Sequence, residues 1–333
     1  MQSGLHTTLL DGANVAANEL MEAVSMGDVG NDLNAAAAQM LASRGKNLRS
    51  TLALLAATAG PRPDDPAVRD GAAAIELFHM VTLAHDDVID DGRVRRGAQT
   101  VSNVYGNVTA SLAAGALFAR AIELIAGCGD EPVRRFASTA GDVCVGQMRE
   151  LEDVSDATRS IERYELAVEG KTASLFGFSA WLGSTLSGAS VSVTHALERF
   201  GHEFGMAFQI ADDILDLVAS ERLTGKQQAK DLEQGIYTLP VLHALKVDRG
   251  LRAMLRRDPT QIDPLEAVRI VANAGGIDAA MKACEERASR ARTHLRDAPE
   301  LSATSARGMA ELLAFALAKL QRLTSDEAVR QVA

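Results

Sequence analysis

The pattern of apolar and polar positions along the chain follows the period of an α-helix. Phe200, Phe204 and Phe208 are spaced four residues apart, as on one face of a helix. Alternating runs of β-branched and aromatic residues bounded by hairpin turns are nearly absent. Residues 133–239 contain no proline, the residue that most strongly interrupts helices. The pattern therefore predicts an all-α protein.

Breaks rich in proline and glycine separate helices but do not separate domains. Asp65 is a suitable N-cap and Pro66 suits the first helical position, so a helix is predicted from about residue 67 to the aspartates near residue 90. We find no linker rich in Gly, Ser or Pro that would divide the chain. The simplest interpretation is one domain over residues 1–333, a bundle of ten or more helices around a central cavity.

Composition supports this interpretation and narrows the function. Apolar residues make up 47% of the 333 residues but aromatic residues only 4%. Ala and Leu dominate the apolar set, and they lose little freedom in a helix. The net charge of -10 argues against nucleic-acid binding, because Lys and Arg are needed to bind phosphate backbones. An anionic substrate is still compatible, since a local cationic site or a metal outweighs the global charge.

The cysteines and the N-terminal residues bear on the compartment. Cys128, Cys144 and Cys284 are widely spaced and odd in number, so they predict neither a disulfide framework nor a zinc site. The first residues lack the basic start and apolar run of a secretion signal. No uninterrupted apolar stretch has the length of a membrane span. We therefore expect a cytoplasmic protein without a transmembrane segment.

Two aspartate clusters share the pattern DDxxD, at residues 86–90 and 212–216. In each, the first and last aspartates lie one helical turn apart on nearly the same face. Each cluster also continues a stripe at spacing four, since Phe78 and Thr82 precede Asp86, and Phe208 precedes Asp212. The carboxylates are therefore expected to point into the bundle interior or a cavity there.

Carboxylates that converge inside a protein repel one another and lose hydration, so they require cations. Mg²⁺ suits them, because proteins hold it through one or two carboxylates, waters and a substrate phosphate. The alternative is that each cluster is a solvated acidic face or a helix end. Two copies that both continue a stripe favour magnesium ions holding a diphosphate. The predicted metal ligands are Asp86, Asp87, Asp90, Asp212, Asp213 and Asp216.

Basic residues near these clusters are candidates for binding phosphate. Taken singly, each lysine or arginine is better explained as a solvated surface residue, and the alternative for His79 is a core histidine with satisfied hydrogen bonds. The segment GKTAS at residues 170–174 lacks the glycine spacing of a P-loop. The evidence for phosphate binding is therefore the occurrence of all these basic residues together. They are Lys46, Arg49, His79, Arg95, Arg96, Lys171, Lys226 and Lys230.

At these residues the sequence resembles the trans-type polyprenyl diphosphate synthases, the family of farnesyl, geranylgeranyl and longer-chain synthases. The matching stretches run in the family's order and include two DDxxD motifs, with RRG after the first and FQ before the second. They are GKNLR (45–49), HMVTLAHDDVIDDGRVRRG (79–97), GQMRELED (146–153), KTASLF (171–176), FQIADDILD (208–216) and GKQQAKDLEQGIYTLP (225–240). The resemblance implies the isoprenoid synthase fold and a magnesium-dependent prenyltransferase that joins isopentenyl diphosphate to an allylic diphosphate.

The resemblance also implies residue roles. The six aspartates would bind three magnesium ions per active site, and these ions would hold the allylic diphosphate. Further contacts to that diphosphate would come from Arg95, Lys171 and Lys226. Isopentenyl diphosphate would be held by Lys46, Arg49, His79 and Arg96. Catalysis at the reacting allylic end would involve Lys171, Thr172 and Gln209, where a hydroxyl and an amide favour developing positive charge.

Several positions depart from the family's pattern without touching the predicted metal ligands. Asn47 and Ser50 stand in the first motif in place of other residues. An aspartate is common at Ala116, a glycine at Ala229, and the lysine of GKxTLP is replaced by Ile236. These departures leave room for altered substrate use or for a weaker enzyme.

Product length is predicted from the residues before Asp86. Short-chain members place bulky aromatic residues at the fifth and fourth positions before it, which here are Val81 and Thr82. A longer tail would then pass deeper, to a floor that includes Phe78, and the product would be a polyprenyl diphosphate longer than farnesyl. The alternative is that Val81 and Thr82 simply pack against a neighbouring helix.

Two other functions share part of this evidence. A class I terpene cyclase has the same ionisation chemistry, but its second metal motif usually includes Asn, Ser or Thr, whereas residues 212–216 carry only carboxylates. A non-catalytic or regulatory subunit of a heteromeric synthase would commonly lose metal aspartates, and all six are present here. The resemblance further implies a homodimer. The sequence leaves open the primer, the product, the pathway and the need for a partner subunit.

Overall fold

The computed structural model describes residues 11, 13–16, 31–43, 45–218, 229–256 and 262–325. The described residues between 31 and 325 form fourteen α-helices, which confirms the all-α prediction. In chain order they are α1 (Asn31–Ala42), α2 (Leu48–Ala57), α3 (Pro66–Ile89), α4 (Val101–Ala126), α5 (Asp130–Glu152), α6 (Ile161–Val168), α7 (Ser174–Leu186), α8 (Val191–Val218), α9 (Lys230–Glu233), α10 (Leu239–Val247), α11 (Arg249–Leu255), α12 (Pro264–Asn273), α13 (Gly276–Arg296) and α14 (Ala303–Ser325).

Two short elements were not predicted. A hairpin of two-residue strands, β1 (Val94–Arg95) and β2 (Ala98–Gln99), lies between α3 and α4. Its two-residue turn is Arg96-Gly97, and both residues have positive φ, 54° and 79°, as a turn that matches strand twist requires. The second element is a π-helical segment, Glu169–Ala173, between α6 and α7.

Helix α3 begins where the sequence predicted. The Asp65 carboxylate accepts a hydrogen bond from the backbone N–H of Ala67 at 3.0 Å, and Pro66 occupies the first turn. At the other end Asp90 caps the helix and Asp91 adopts a left-handed conformation, φ 47°. Aspartate tolerates this conformation better than most residues do. The first aspartate cluster thus lies at the C-terminal end of a 24-residue helix.

The chain divides into two compact units. Unit 1 comprises Met1–Ser138, Phe178–Glu198 and Leu295–Leu312. Within it, α3 packs against α2 and α4, and α4 also packs against α1. Its core contains an aromatic cluster of Phe78, Phe118, Phe136 and Phe178, with neighbouring ring centroids 5.4 to 6.1 Å apart.

Unit 2 comprises Thr139–Gly177, Arg199–His294 and Leu313–Ala333. Its core includes the buried rings of Phe176, Phe200 and Phe204. Arg287 of α13 donates hydrogen bonds to Glu165 of α6 at 2.7 Å and to Glu203 of α8 at 3.5 Å. One guanidinium therefore ties three helices of this unit together. The interpretation of residues 1–333 as a single domain stays a prediction.

Helix α4 is the one helix of the described residues that is long and apolar enough to cross a membrane by length and composition. One face is buried through small residues such as Ala110, Ala113 and Ala114. Val104, Val108 and Leu112 are exposed along this helix, and the last two lie one helical turn apart, whereas Gly106, with φ 81° and ψ 160°, interrupts the helix between the first two. Such an apolar stripe on a helix that packs against α1 and α3 is the type of surface that binds another protein.

Candidate active site

The first aspartate cluster is half-buried at the end of α3. Along this helix Phe78 is buried, whereas Thr82, Asp86 and Asp90 are of intermediate exposure. The stripe therefore begins in the core and emerges toward solvent at its carboxylates. Arg95 of the hairpin donates from Nε to Oδ1 of Asp87 at 2.8 Å. The hairpin thus brings a predicted phosphate-binding arginine directly to a predicted metal ligand.

Arg49 and His79 meet in the interior of unit 1. Arg49 Nη1 lies 3.1 Å from His79 Nε2, and because a guanidinium only donates, the imidazole nitrogen must accept. The other ring nitrogen, Nδ1, lies 3.4 Å from Thr82 Oγ1, which itself donates to the His79 carbonyl at 2.7 Å. These partners require a neutral His79 protonated on Nδ1.

The pKa values of this pair follow from burial and charge. Burial, then the positive charges of Arg49, Arg96 and Arg95, hold the pKa of His79 well below its usual value. Burial lowers the pKa of Arg49 to about 10, against the opposing effect of Glu76. Arg49 is still a cation at neutral pH, so the pair presents one positive charge.

Arg96 approaches the same region from the hairpin turn. Its Nη1 donates to the backbone carbonyl of Ser43 at 3.0 Å. A Cβ atom on Gly45 would lie 2.5 Å from Arg96 Nη2, so glycine at this position is what allows the approach. Lys46 is exposed beside it. Unit 1 therefore groups the residues predicted to hold isopentenyl diphosphate.

Glu76 is a buried carboxylate in this group that the motifs did not identify. It is only 3% exposed, and its Oε2 accepts from the Ser50 N–H at 3.2 Å and from Ser50 Oγ at 2.9 Å. Ser50 lies in the first turn of α2, where backbone N–H groups lack helical partners. Glu76 therefore anchors the helix start that carries Arg49. Glu76 could have been found from the sequence by its position three residues before His79, which is nearly one helical turn.

The second aspartate cluster lies near the end of α8 and is less uniformly buried than expected. Phe200 and Phe204 are buried and Phe208 is intermediate, but Asp212 is exposed and Asp216 intermediate. The stripe reaches the surface before its carboxylates, so Asp212 is not enclosed in the core, and the expectation that these carboxylates face the interior or a cavity there stays a prediction. The buried member is Asp213, off the stripe and only 3% exposed.

Asp213 ends a chain of hydrogen bonds. Thr172 Oγ1 donates to Gln209 Oε1 at 2.9 Å, and Gln209 Nε2 donates to Asp213 Oδ1 at 2.9 Å. The buried Tyr164 donates from its hydroxyl to Asp213 Oδ2 at 2.5 Å. Burial raises the pKa of Asp213 to about 7, whereas the bonds from Tyr164 and Gln209 act in the opposite direction. The structure thus joins Thr172 and Gln209 by a hydrogen bond, and their catalytic role stays a prediction.

Lys171 lies in the π-helical segment and pairs with Glu150 of α5, with Nζ 2.5 Å from Oε1. This pairing depends on a close approach of two backbones. A Cβ atom on Gly146 would lie 2.1 Å from the Lys171 nitrogen. Insertions of one residue into a helix often occur at functional sites. Here the insertion brings Lys171 and Thr172 beside α5 and α8.

The acidic residues of unit 2 fit a bound cation. Burial, then the charges of Asp216, Asp213, Asp212 and Glu150, raise the pKa of Asp231 well above its usual value. Negative charges that raise one another's pKa in this way are relieved by a divalent ion. No three His, Cys, Asp or Glu side chains within the described ranges already surround one ion position.

Four residues of these clusters were missed by the sequence analysis. They are Glu76, Glu150, Tyr164 and Asp231. Glu150 follows Gly146 by one turn, and Asp231 lies within a quoted motif, so both carried a signal. Tyr164 lies outside every motif. Lys226, a predicted diphosphate contact, lies outside the described residues.

Comparison with known proteins adds an independent line of evidence. The family model described as polyprenyl synthetase matches residues 31–270. The chain is 39% identical over 263 residues to nonaprenyl diphosphate synthase of Mycobacterium tuberculosis, covering 77% of this chain and 78% of that protein. It is 35% identical over 307 residues to heptaprenyl diphosphate synthase component 2 of Geobacillus stearothermophilus, covering 91% and 94%.

A solved structure is similar over nearly the whole chain. It is polyprenyl synthase from Caulobacter crescentus CB15 complexed with calcium and isoprenyl diphosphate, with a TM-score of 0.83 and 29% identity. The match covers 94% of this chain and 95% of that one. The isoprenoid synthase fold expected from the sequence is thereby confirmed. The chain belongs to the polyprenyl synthetase family and is a prenyltransferase.

Proposed function

We propose that this chain condenses isopentenyl diphosphate with an allylic diphosphate in a magnesium-dependent reaction and releases a trans-polyprenyl diphosphate longer than farnesyl. The observation that carries the proposal is the cluster of Arg49, His79 and Arg96 in unit 1, with Asp86 acting on the pKa of Arg49. A cyclase that ionises one allylic diphosphate has no use for this second cationic cluster. A synthase requires it for isopentenyl diphosphate.

The metal ligands in this proposal are five aspartates that are not fully buried. They are Asp86, Asp87, Asp90, Asp212 and Asp216. Three ions per site is the number implied by the family resemblance. When bound, Mg²⁺ would neutralise the diphosphate leaving group and so favour ionisation of the allylic C–O bond. Asp213, also predicted as a ligand, is buried and accepts hydrogen bonds from Tyr164 and Gln209.

The remaining residues position the substrates. Arg95 and Lys171 are ion-paired with Asp87 and Glu150, and we propose that phosphate oxygens of the allylic substrate become their partners, together with Lys226. Lys46, Arg49, His79 and Arg96 hold isopentenyl diphosphate, with Arg49 supplying a fork of donors. Thr172 and Gln209 line the reacting carbon. The double bond of isopentenyl diphosphate attacks that carbon, and the released diphosphate accepts the proton lost afterwards.

The central experiment is incubation of the purified chain with Mg²⁺, isopentenyl diphosphate and allylic diphosphates of increasing length, followed by sizing of the products. We expect stepwise incorporation of isopentenyl units. Asp86→Ala and Asp212→Ala should each lower turnover by at least about 100-fold, because each removes charge stabilisation of the leaving group. Consumption of the allylic diphosphate without isopentenyl incorporation would identify a cyclase instead.

Product length rests on the packing before Asp86. Val81 is buried, and Phe78 packs on Phe118 and Phe136 with ring centroids 5.6 and 5.4 Å away. We propose that the growing tail passes Val81 and Thr82 and stops at this aromatic cluster. The names of the matched nonaprenyl and heptaprenyl synthases support a long chain. Val81→Phe should shorten the product and Phe78→Ala should lengthen it, and unchanged lengths in both variants would contradict the proposal.

A second candidate is a subunit of a heteromeric synthase, because one relative is named component 2 of a heptaprenyl diphosphate synthase. The proposed metal-binding aspartates favour a catalytic role for this chain, whether it acts alone or as one subunit of a heteromeric synthase. Activity of the purified chain alone would support a self-sufficient enzyme. An inert chain that gains activity when a second protein is added would support the heteromeric form.

We further propose a homodimer in the cytoplasm, with all of residues 1–333 acting as one catalytic domain. The exposed stripe of Val104, Val108 and Leu112 on α4 supports a second copy as the partner. The three cysteines are free thiols, as is common in a reducing compartment. The family match extends from residue 31 to residue 270 and so includes parts of both units.

A further inference from the structure

Both oxygens of the Asp213 carboxylate are already engaged by donors from the protein. Tyr164 donates to Oδ2 at 2.5 Å and Gln209 donates to Oδ1 at 2.9 Å. Asp213 is only 3% exposed, whereas Asp212 is exposed and Asp216 intermediate. The middle aspartate of the second cluster therefore differs in surroundings from its two neighbours.

The acceptor at Asp213 determines which group donates and which accepts in the hydrogen bonds of Gln209 and Thr172. Because the Gln209 NH₂ group faces the Asp213 carboxylate, the Gln209 carbonyl oxygen must face Thr172. An amide oxygen only accepts, so the Thr172 hydroxyl donates its single hydrogen to Gln209, at 2.9 Å. The Thr172 oxygen is thereby left with its lone pairs and without a hydrogen for any other neighbour. Lone pairs stabilise adjacent positive charge, whereas a hydroxyl hydrogen would oppose it.

Tyr164 is held firmly enough to define the start of this chain. It is a fully buried residue of α6. The Arg159 guanidinium lies over its ring, 5.4 Å from the centroid, and Arg159 is in turn fixed by an ion pair with Asp153 at 2.9 Å and by a bond to the Tyr237 carbonyl at 3.1 Å. The hydroxyl of Tyr164 therefore has little freedom to leave Asp213.

We propose that Tyr164 is a positioning residue for prenyl transfer, which holds Asp213 as the acceptor at the end of the Thr172–Gln209 chain and so makes Thr172 present lone pairs to the allylic carbon. The inference rests on the proposed function, since that function places the reacting carbon beside Thr172 and Gln209. It assigns Asp213 to the hydrogen-bond chain and leaves metal binding in this cluster to Asp212 and Asp216.

The first test compares Tyr164→Phe with Tyr237→Phe. Both remove one hydroxyl from a buried tyrosine of unit 2, but the Tyr237 hydroxyl donates only to the Leu255 carbonyl, at 2.9 Å. We expect Tyr164→Phe to lower kcat by about tenfold with KM for isopentenyl diphosphate within about twofold, since a shift in orientation acts on the transition state. Tyr237→Phe should leave kcat unchanged. Equal kcat in the two variants would overturn the proposal.

The second test asks whether Tyr164 acts through Thr172. The double variant Tyr164→Phe/Thr172→Val should be no slower than Thr172→Val alone, because the orientation of a missing hydroxyl has no further effect. Losses that multiply would show that Tyr164 acts by another route and would contradict the proposal.

The third test separates Asp213 from the metal ligands without measuring activity. Mn²⁺ binding in the presence of inorganic pyrophosphate can be followed by electron paramagnetic resonance for Asp213→Asn and Asp212→Asn. We expect Asp213→Asn to bind Mn²⁺ within about twofold of the unaltered protein and Asp212→Asn to bind it at least about tenfold more weakly, as for loss of a direct ligand. Equal weakening in both would return Asp213 to the metal site. A wild-type chain without any prenyl transfer would instead refute the proposed function itself.

Discussion

Glu76 is a buried charge of unit 1 that holds neighbouring residues in place. Its carboxylate accepts two hydrogen bonds from Ser50 and is the opposing charge that most raises the pKa of Arg49. Removing one member of such a buried set leaves the other charge and the donors without compensation. Glu76 therefore supports the proposed isopentenyl diphosphate site, and this role does not require contact with the substrate.

Glu76→Ala should lower the free energy of unfolding by about 3 kcal/mol, the cost typical of an uncompensated buried charge. It should also raise KM for isopentenyl diphosphate by about tenfold, since the first turn of α2 carries Arg49, while KM for the allylic substrate changes less. Urea unfolding and initial-rate kinetics provide the measurements. Ser50→Ala is the control, because it removes one bond and leaves the charge, and its destabilisation should be about 1 kcal/mol. A larger effect on allylic KM than on isopentenyl KM would contradict this role.

His79 gives the protein a predictable response to acid. Its pKa in the folded state lies well below the ordinary value of 6.5, mainly because of burial and then because of Arg49, Arg96 and Arg95. The unfolded chain therefore binds the proton first as pH falls. The stability that neutral His79 provides is fully present above pH 6.5 and is lost below it, by at most about 1.4 kcal/mol per pH unit.

The measurement is urea unfolding of the unaltered protein and of His79→Gln at pH 8, 7, 6 and 5.5. A glutamine oxygen can accept from Arg49 but does not titrate. We expect the stability difference between the two proteins to be constant above about pH 7.5 and to shift in favour of the variant in acid. A difference that stays constant down to pH 5.5 would show that His79 is not buried as a neutral ring.

Residue types in the site were largely predictable, but their partners were not. Asp86, Arg95 and Gln209 were predicted because their motifs are contiguous in the sequence. Glu76 and Tyr164 contact residues 26 and 49 positions away, and one sequence does not show which distant side chains meet. The exposure of Asp212 was not predictable either, since helical spacing shows which residues share a face but not how far a helix stays buried.

At the scale of elements, the contact between α5 and the π-helical segment requires glycine on both sides. Gly146 and Gly170 approach so closely that a Cβ on Gly146 would lie 2.1 Å from the Lys171 nitrogen and 2.7 Å from the Gly170 carbonyl carbon. Backbone atoms cannot move aside as a flexible side chain does. The contact fixes both the Lys171–Glu150 pair and the location of Thr172.

Gly146→Ala should therefore destabilise the protein by about 3 kcal/mol, the upper part of the range for overpacking, and lower kcat by at least about tenfold through displacement of Thr172. Gly141→Ala is a matched control on the same helix, because nothing lies within 4 Å of its added Cβ. It should increase stability by up to about 1 kcal/mol, as alanine favours a helix more than glycine does. Thermal unfolding of both variants checks the pair, and similar melting temperatures would refute the contact.

Long helices were predictable and the two short elements were not. The start of α3 at Pro66 follows from Asp65 and proline chemistry, which act within a few residues. The hairpin strands contain two residues each, too few for an alternating pattern, and its turn requires a positive φ from Arg96. The π-helical segment contains Gly170, which packs closely against α5, and a contact between distant segments leaves no local sequence pattern.

At the scale of the whole molecule, the exposed stripe of α4 is the proposed interface between two copies of the chain. Val108→Glu/Leu112→Glu should convert a dimer into a single chain of 35.2 kDa, because charge is costly in an apolar contact. Light scattering coupled to size-exclusion chromatography measures the mass. Val191→Glu is the control, since Val191 is 74% exposed and Val108 is 75% exposed. A double variant that keeps the mass of the unaltered protein would exclude α4 as the interface.

The ion pairs of Arg287 have a practical consequence for the design of shortened forms of this protein. The recognisable family region ends at residue 270, yet Arg287 reaches back from α13 to Glu165 and Glu203 on the helices that bear Tyr164 and Gln209. A truncation at the end of the family match would remove Arg287, the brace between these helices, and so would weaken the contacts of α6 and α8 with each other. Trimming or fusion should be planned from residue 326 onward, so that the brace is kept.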